Sequence, residues 1–302
     1  MNLSLVVCTY NRAEFIKSGL EHIAQQTLDK SLFEVLIINN YSTDNTEAVC
    51  QKFIDENPLL NIRLFFESQK GLSYARNRGI KEASGNIIVY IDDDALAEPF
   101  FLEEINKFFL NNPNAVGAGG TVEPYYIEVP KPKWMSKFLY GFVGDINFGN
   151  TIKKYSKSMK YPIGCNMTYK KDMLLKIGGF NNALSFRGDD KYIFNEIKKY
   201  SDEIYYLPNA KLKHVIDKKR LTFDSFKKLF LQSGNEAKER IGSRKISVRF
   251  IIKLIEYLGK TGVAILIWIG YALIFEEIKG RYVFYSQYFT LKGFLSDNVF
   301  VR

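Results

Sequence analysis

Ile87-Ile88-Val89-Tyr90-Ile91-Asp92-Asp93-Asp94 runs five apolar residues straight into three carboxylates, and its reading decides the fold. A short apolar run without polar alternation is a strand covered on both faces, the character of a parallel sheet flanked by helices. The same pattern recurs upstream. Leu3–Cys8, Phe33–Ile38 and Ile62–Phe66 are apolar runs, and Arg12–Gln26, Asp44–Phe53 and Leu72–Ala83 between them read as helices, the second opened by the Ser42-Thr43-Asp44 capping cluster. Strands alternating with helices imply an α/β architecture, and ligands of such sheets gather beyond the carboxyl ends of the strands. The residues there are Thr9-Tyr10-Asn11-Arg12, Asn39-Asn40-Tyr41-Ser42 and Asp92-Asp93-Asp94.

Three adjacent carboxylates repel one another unless a cation intervenes. A hard divalent cation holding a nucleotide diphosphate removes that cost, because Mg²⁺ or Mn²⁺ takes oxygen from one or two carboxylates plus phosphates. The competing reading is a solvated acidic turn that caps the next helix near Pro99. Its weakness is position, at a strand end that faces two other polar strand ends.

Further along, 131–160 is basic, aromatic and irregular, with Lys131, Lys133, Trp134, Lys153, Lys154 and Lys157, and reads as a loop or lid. Ile163–Met167 reads as a short strand, Lys171–Ile177 as a helix and Gly178-Gly179 as its stop. Phe186-Arg187-Gly188-Asp189-Asp190 opens a helix over Lys191–Tyr200 with acids at its positive end, and Ile204–Leu207 is a strand leading to His214.

Taken in order, Val7-Cys8-Thr9-Tyr10-Asn11-Arg12, Asn39-Asn40-Tyr41-Ser42-Thr43-Asp44, Gly71-Leu72-Ser73-Tyr74-Ala75-Arg76-Asn77, Asp92-Asp93-Asp94, Gly178-Gly179-Phe180 and Gly188-Asp189-Asp190 resemble the ordered motifs of family 2 glycosyltransferases. The resemblance spans about residues 3–216 and implies the type A (GT-A) nucleotide-sugar fold, a Rossmann-like, mostly parallel sheet flanked by helices. It implies a catalytic domain over 1–216, with a nucleotide-binding half over 1–95 and an acceptor half over 96–216; residues 217–302 lie outside the resemblance and read by their helical spacing as a C-terminal helical appendage. The activity implied is inverting, metal-dependent transfer of a sugar from a nucleotide diphosphate, commonly UDP, with Mn²⁺ or Mg²⁺ as cofactor.

Carried over residue by residue, the resemblance assigns Thr9, Tyr10, Arg12, Asn39, Asn40, Arg76, Asp92 and Asp93 to the donor, and Asp94, Asp92 and His214 to the metal. Asp190 matches the general base, which takes the acceptor hydroxyl proton and must come within about 3 Å of it. Trp134, Asn166 and Asp189 are assigned to the acceptor or donor sugar. The chain departs from the common pattern at Asn39 and Asn40, where Asp is usual; an amide still bonds the uracil edge but removes a charge. For several of these a plainer role stays open. Asp189 and Asp190 also fit as helix-capping acids, His214 and Trp134 as structural residues, and Cys8 and Cys165 as strand packing.

The net charge of +9 divides unevenly. Residues 1–130 hold 10 basic and 18 acidic side chains, 131–171 hold 9 and 1, and 213–260 hold 13 and 5. No glycine-aromatic RNA motif accompanies the basic segments, so anionic small molecules or an anionic membrane surface are the expected partners, and nucleic acid is not. Three cysteines without CxxC spacing argue against a disulfide framework or a zinc site. In the tail, Phe226, Leu229 and Phe230, then Phe250, Ile251, Leu254, Ile255 and Leu258, recur at helical spacing among Lys227, Lys228, Arg244, Lys245, Arg249, Lys253 and Lys260. Val263–Phe275 is uncharged over 13 residues, about 20 Å of helix against a hydrocarbon core of about 30 Å.

The expectation is a cytoplasmic protein, peripheral at the inner face of the cell membrane, whose tail meets that surface; a cover for the catalytic domain or a homo-oligomer surface is the rival use. The acceptor expected is a glycan or a polyprenyl-linked saccharide of surface-polysaccharide synthesis. The alternatives are a sugar-nucleotide nucleotidyltransferase, which would ordinarily show a glycine-rich phosphate loop absent from Val7–Asn11, and a non-catalytic sugar-nucleotide scaffold.

Overall fold

A computed structural model describes residues 2–156, 159–184, 188–241 and 247–296; Lys157, Phe186, Arg187, Arg244 and Lys245 of the sequence reading lie outside them. The described residues form strands β1 (Leu3–Thr9), β2 (Phe33–Asn39), β3 (Ile62–Phe66), β4 (Ile87–Asp92), β5 (Ala95–Ala97), β6 (Gly117–Tyr126), β7 (Lys153–Lys154), β8 (Met167–Lys170) and β9 (Ile204–Ile216). The helices are α1 (Ala13–Ala24), α2 (Thr46–Glu56), α3 (Leu72–Glu82), α4 (Phe101–Asn111), α5 (Lys171–Lys176), α6 (Asp189–Lys198), α7 (Phe223–Arg240), α8 (Val248–Leu273) and α9 (Glu277–Leu295). They divide into two compact units, Met1–Tyr125 with Gly144–Val215, and Tyr126–Val143 with Ile216–Arg302.

The first unit is a mixed sheet in the order β3-β2-β1-β4-β8-β6-β9-β5, with β7 on β9. The four strands with continuous apolar runs are its parallel part, and their register aligns their ends: Thr9 lies opposite Asn39, Cys8 opposite Asp92, and Asn39 opposite Phe66. Every side chain of β2 is buried, including Glu34. That carboxylate is kept by hydrogen bonds from Ser4 Oγ, Ser84 N and Arg63 Nη2. Beyond β4 the pairing turns antiparallel with β8, which begins at Met167 and not at Ile163. Residues 163–166 make a turn because Asn166 N bonds back to Ile163 O. β9 is also longer than expected and carries Ala95 opposite His214, which returns the histidine to the end of β4.

The second unit is a three-helix stack with 126–143 folded into it. α9 is the middle layer. Gly234 of α7 lies so close to α9 that a Cβ there would stand 2.0 Å from Thr290 O, and a Cβ at Gly293 would stand 2.0 Å from Leu231 O. α8 covers the other side through Phe250 and Tyr257 on Phe294, and Trp268 on Phe284. Segment 126–143, read from sequence as part of the acceptor half, joins this unit because its apolar side chains fill the stack. Trp134 lies parallel to Tyr282 with centroids 4.5 Å apart, and Phe142 packs on Phe226.

Candidate active site

The site is built at the carboxyl ends of the parallel strands, and the β4–β5 turn supplies its centre. Among the described residues, one oxygen each from Asp92 and Asp94 and one nitrogen of His214 come within 4.8 Å of one another. His214 is presented by the β5–β9 pairing, and its Nε2 stands 3.2 Å from Asp94 Oδ1. Two carboxylates and an imidazole form a donor set suited to Mn²⁺, and with diphosphate oxygens also to Mg²⁺. The residues present therefore fit the expected metal.

Arg12, the residue before α1, turns its guanidinium onto the same turn, pairing through Nη2 with Asp94 and through Nε with Asp93 at 3.4 Å. Asp93 is pushed up to about 7, first by burial and then by the Asp94 charge, against the pull of Arg12. Cys8 lies behind the turn, and burial pushes its thiol up to about 12, so it packs there as a neutral group.

Arg76 is the second hub. It is 3% exposed, and its fork pairs Nη1 with Asp189 and Nη2 with Asp92, the latter at 3.4 Å. Phe180 lies under the guanidinium, held by Asn77, which donates to Phe180 O and accepts from Phe180 N. Gly164 presses against the other side, where a Cβ would stand 2.5 Å from Nη2. Asp190, next to Asp189 at the start of α6, accepts from Gly164 N at 3.3 Å. One guanidinium thus connects Asp92, of the Asp92-Asp94-His214 cluster, to the turn that carries Asp190.

The other side of the site is an aromatic shelf at the ends of β1 to β3. Tyr10 and Tyr41 are exposed, Tyr41 lies 5.9 Å from Phe66, and Lys70 Nζ sits 5.7 Å from the Tyr10 ring and 4.7 Å from the Tyr41 ring. Lys70 is fixed by its neighbours, since Asn40 donates to Gln69 O and accepts from Gly71 N. Tyr41 and Lys70 are absent from the residues carried over by resemblance. The signal that could have found Lys70 is its position in the segment after β3, the counterpart of the polar ends of the other three strands.

Several expected contacts take other forms. Asn40 is occupied by the Lys70 loop, and Asn39 accepts from Ser42 N while donating to Glu47, so both amides shape the rim. Thr9 is 2% exposed at the end of β1. Asn166, expected at a sugar, is buried and bridges Thr121 O and Ala210 O, because a buried amide needs partners and the carbonyls of β6 and β9 provide them. Trp134 stacks on Tyr282 within the second unit, the structural role that the sequence left open beside a sugar contact. Cys165 is buried in the turn before β8, outside any strand.

The chain belongs to glycosyl transferase family 2, whose model matches residues 4–178, and it is a glycosyltransferase with the GT-A fold. A glucosyl-dolichyl phosphate glucuronosyltransferase of Haloferax volcanii is 29% identical over 236 residues, 74% of this chain and 72% of the relative. Glycosyltransferase AglE of the same organism is 28% identical over 62% of this chain and 58% of its own length. Among solved structures, the mannosyltransferase PcManGT of Pyrobaculum calidifontis, in complex with GDP-Man and Mn²⁺, superposes with a TM-score of 0.64 at 19% identity over 96% of this chain and 87% of that one. S. aureus TarS 1-349 in complex with UDP-GlcNAc gives 0.56 at 15% identity over 95% and 91%.

Proposed function

We propose that this enzyme is an inverting, metal-dependent hexosyltransferase that moves a sugar from a nucleotide diphosphate, taken as UDP, to a saccharide carried on a polyprenyl lipid. The observation that carries the reading is the convergence of Asp92, Asp94 and His214, coupled through Arg76 to the turn bearing Asp190.

Asp92, Asp94 and His214 would hold the Mn²⁺ or Mg²⁺. Bound there, the ion supplies positive charge to the diphosphate as it leaves. Tyr10 and Tyr41 offer faces on which a nucleobase stacks, and Lys70 beside them adds a cation near the nucleotide. Asp190 accepts the proton of the attacking acceptor hydroxyl. The new bond forms between that oxygen and the anomeric carbon while the bond to the β-phosphate oxygen breaks on the opposite face, so the configuration inverts. Asp189 neutralises Arg76 and fixes the start of α6, which sets where the Asp190 carboxylate can stand.

The lipid-linked acceptor is supported by the names of two archaeal relatives. One is the Haloferax enzyme above; the other is a dolichyl N-acetyl-α-D-glucosaminyl phosphate 3-β-D-2,3-diacetamido-2,3-dideoxy-β-D-glucuronosyltransferase of Methanococcus voltae, 28% identical over 40% of this chain and 39% of its own length. An acceptor of this kind resides in a membrane, so the reading requires a protein that works at a membrane surface, which we take to be its cytoplasmic face. Calorimetric titration of UDP-sugars and GDP-sugars, with and without Mn²⁺, tests the donor assignment. The expected result is metal-dependent binding of a UDP-sugar. Tighter binding of a GDP-sugar would overturn the nucleotide, and metal-independent binding would overturn the metal site.

A further inference from the structure

The outermost helix of the second unit has two very different sides. Phe250, Tyr257 and Trp268 of α8 turn inward onto α9. On the outside Val248, Ile252, Ile255, Leu266, Ile269 and Leu273 are all exposed. At about 100° per residue these six share one face, and the helix that carries them is about 39 Å long. Gly259, Gly262 and Gly270 lie between them, with nothing within 4 Å of a Cβ built at any of the three. The stripe continues into the α8–α9 turn, where Ile274 is exposed and Phe275 is 99% exposed.

A patch of this length far exceeds the scattered apolar residues of an ordinary surface and marks an interaction site. Two features select its partner. Along the helix the outer face is aliphatic and glycine, without the Trp, Tyr and Arg anchors that protein interfaces use. One edge is basic: Arg249, Lys253 and Lys260 follow it, the two lysines sharing Glu256 at 2.7 and 2.6 Å. Residues 217–302 as a whole hold 16 basic and 8 acidic side chains. Among the described residues no helix is long and apolar enough to cross a membrane.

We infer that the outer face of α8 and the α8–α9 turn dock on an anionic lipid leaflet, with the helix lying in the membrane plane. The aliphatic stripe enters the boundary between headgroups and acyl chains, and the basic edge stays among the phosphates, its long side chains reaching outward from the buried stems. The inference rests on the lipid-linked acceptor proposed above only for its biological setting. The surface argues for itself through exposure and charge.

Co-sedimentation of the full chain with vesicles tests it, in the absence of donor and acceptor. Vesicles of phosphatidylcholine with phosphatidylglycerol are expected to pellet the protein, and phosphatidylcholine alone to pellet less. Ile255→Glu with Leu266→Glu, both at exposed positions, should lower the partition about tenfold or more while leaving thermal unfolding in place. Arg249→Gln should lower it about fivefold at low salt only, the contribution of one basic residue near an anionic surface. The inference is overturned if the wild type stays in the supernatant at low salt, or if the double glutamate variant pellets as well as the wild type. It is also overturned if the wild type ignores vesicles and forms a dimer that the double variant dissociates, since a second copy then covers the face. Metal-dependent nucleotide binding, measured on the same samples, separates this failure from a failure of the enzymatic reading.

Discussion

Asp94 stands between a guanidinium and an imidazole, with Arg12 on one oxygen and His214 by the other. Both of its oxygens therefore face the centre of the site. In the proposed reading the diphosphate is held largely through a cation, so on Asp94→Ala Mn²⁺-dependent donor binding should disappear in a titration. Retained Mn²⁺-dependent binding would dismiss Asp94 as a ligand. Asp190 plays a different part, and its variant separates binding from chemistry. Asp190→Asn keeps the shape and can still accept from Gly164 N, yet takes no proton; donor affinity should stay within a few-fold while turnover falls about 10²-fold or more. Turnover equal to the wild type would remove Asp190 from the reaction. The motifs single out these carboxylates by their places at the end of β4 and the start of α6. What the sequence hid was the use of the polar residues around them, because an amide such as Asn40 or Asn166 serves a ligand or a loop equally well until its neighbours are known.

At the scale of the element, β2 hides a charge that an apolar reading of Phe33–Ile38 passes over. Burial pushes Glu34 up, but hydrogen bonds from Ser4, Ser84 N and Arg63, with the Arg63 charge, outweigh it and hold the carboxyl below its ordinary value. A depressed folded-state pKa stabilises the protein fully above the unfolded value of about 4.3, and that contribution is lost as pH falls through the folded value. Glu34→Gln should cost about 1.5–3 kcal/mol at neutral pH in denaturant titrations, and its deficit should shrink on acidification. A deficit unchanged down to strongly acid pH would show that the charge is not what stabilises β2. The helices of the second unit offer a paired test. Gly234→Ala drives a Cβ into Thr290 O, an overpacking expected to cost about 1–3 kcal/mol, whereas Gly262→Ala meets open space and should gain up to about 1 kcal/mol of helix propensity. Thermal unfolding of the two variants reads both signs, and a neutral Gly234→Ala would mean that α7 and α9 separate without cost.

The parallel strands could be read from sequence because continuous apolar runs and helical spacing are local signals. The antiparallel half was harder to read, since its strands depend on partners. Pro208-Asn209 looks like a break, yet β9 runs through it and changes partner, meeting β7 at Tyr205–Tyr206 and β5 at Leu212–His214.

For the whole molecule the informative departure is segment 126–143, whose basic, irregular sequence gives no sign that Trp134 and Phe142 belong with helices a hundred residues later. Deletion from residue 245 onward, which the sequence presents as the removal of a tail, strips Tyr282 from Trp134 and Phe226. The shortened chain is expected to aggregate, as sedimentation velocity would record. A monodisperse product would mean that α7 and 126–143 close a core without α8 and α9.

The shared fork of Arg76 also bears on how such enzymes diversify. With the cluster of Asp92 and Asp94 on one stretch of chain and the Asp189-Asp190 turn on a much later one, the two halves invite recombination, each evolving by itself. Here the two are soldered by one buried cation whose counterions, Asp92 and Asp189, lie on either side of any such junction. A chimera cut near residue 95 inherits Arg76 from one parent and its Asp189 partner from the other, so only parents that agree at both positions can exchange halves without leaving a buried charge unpaired.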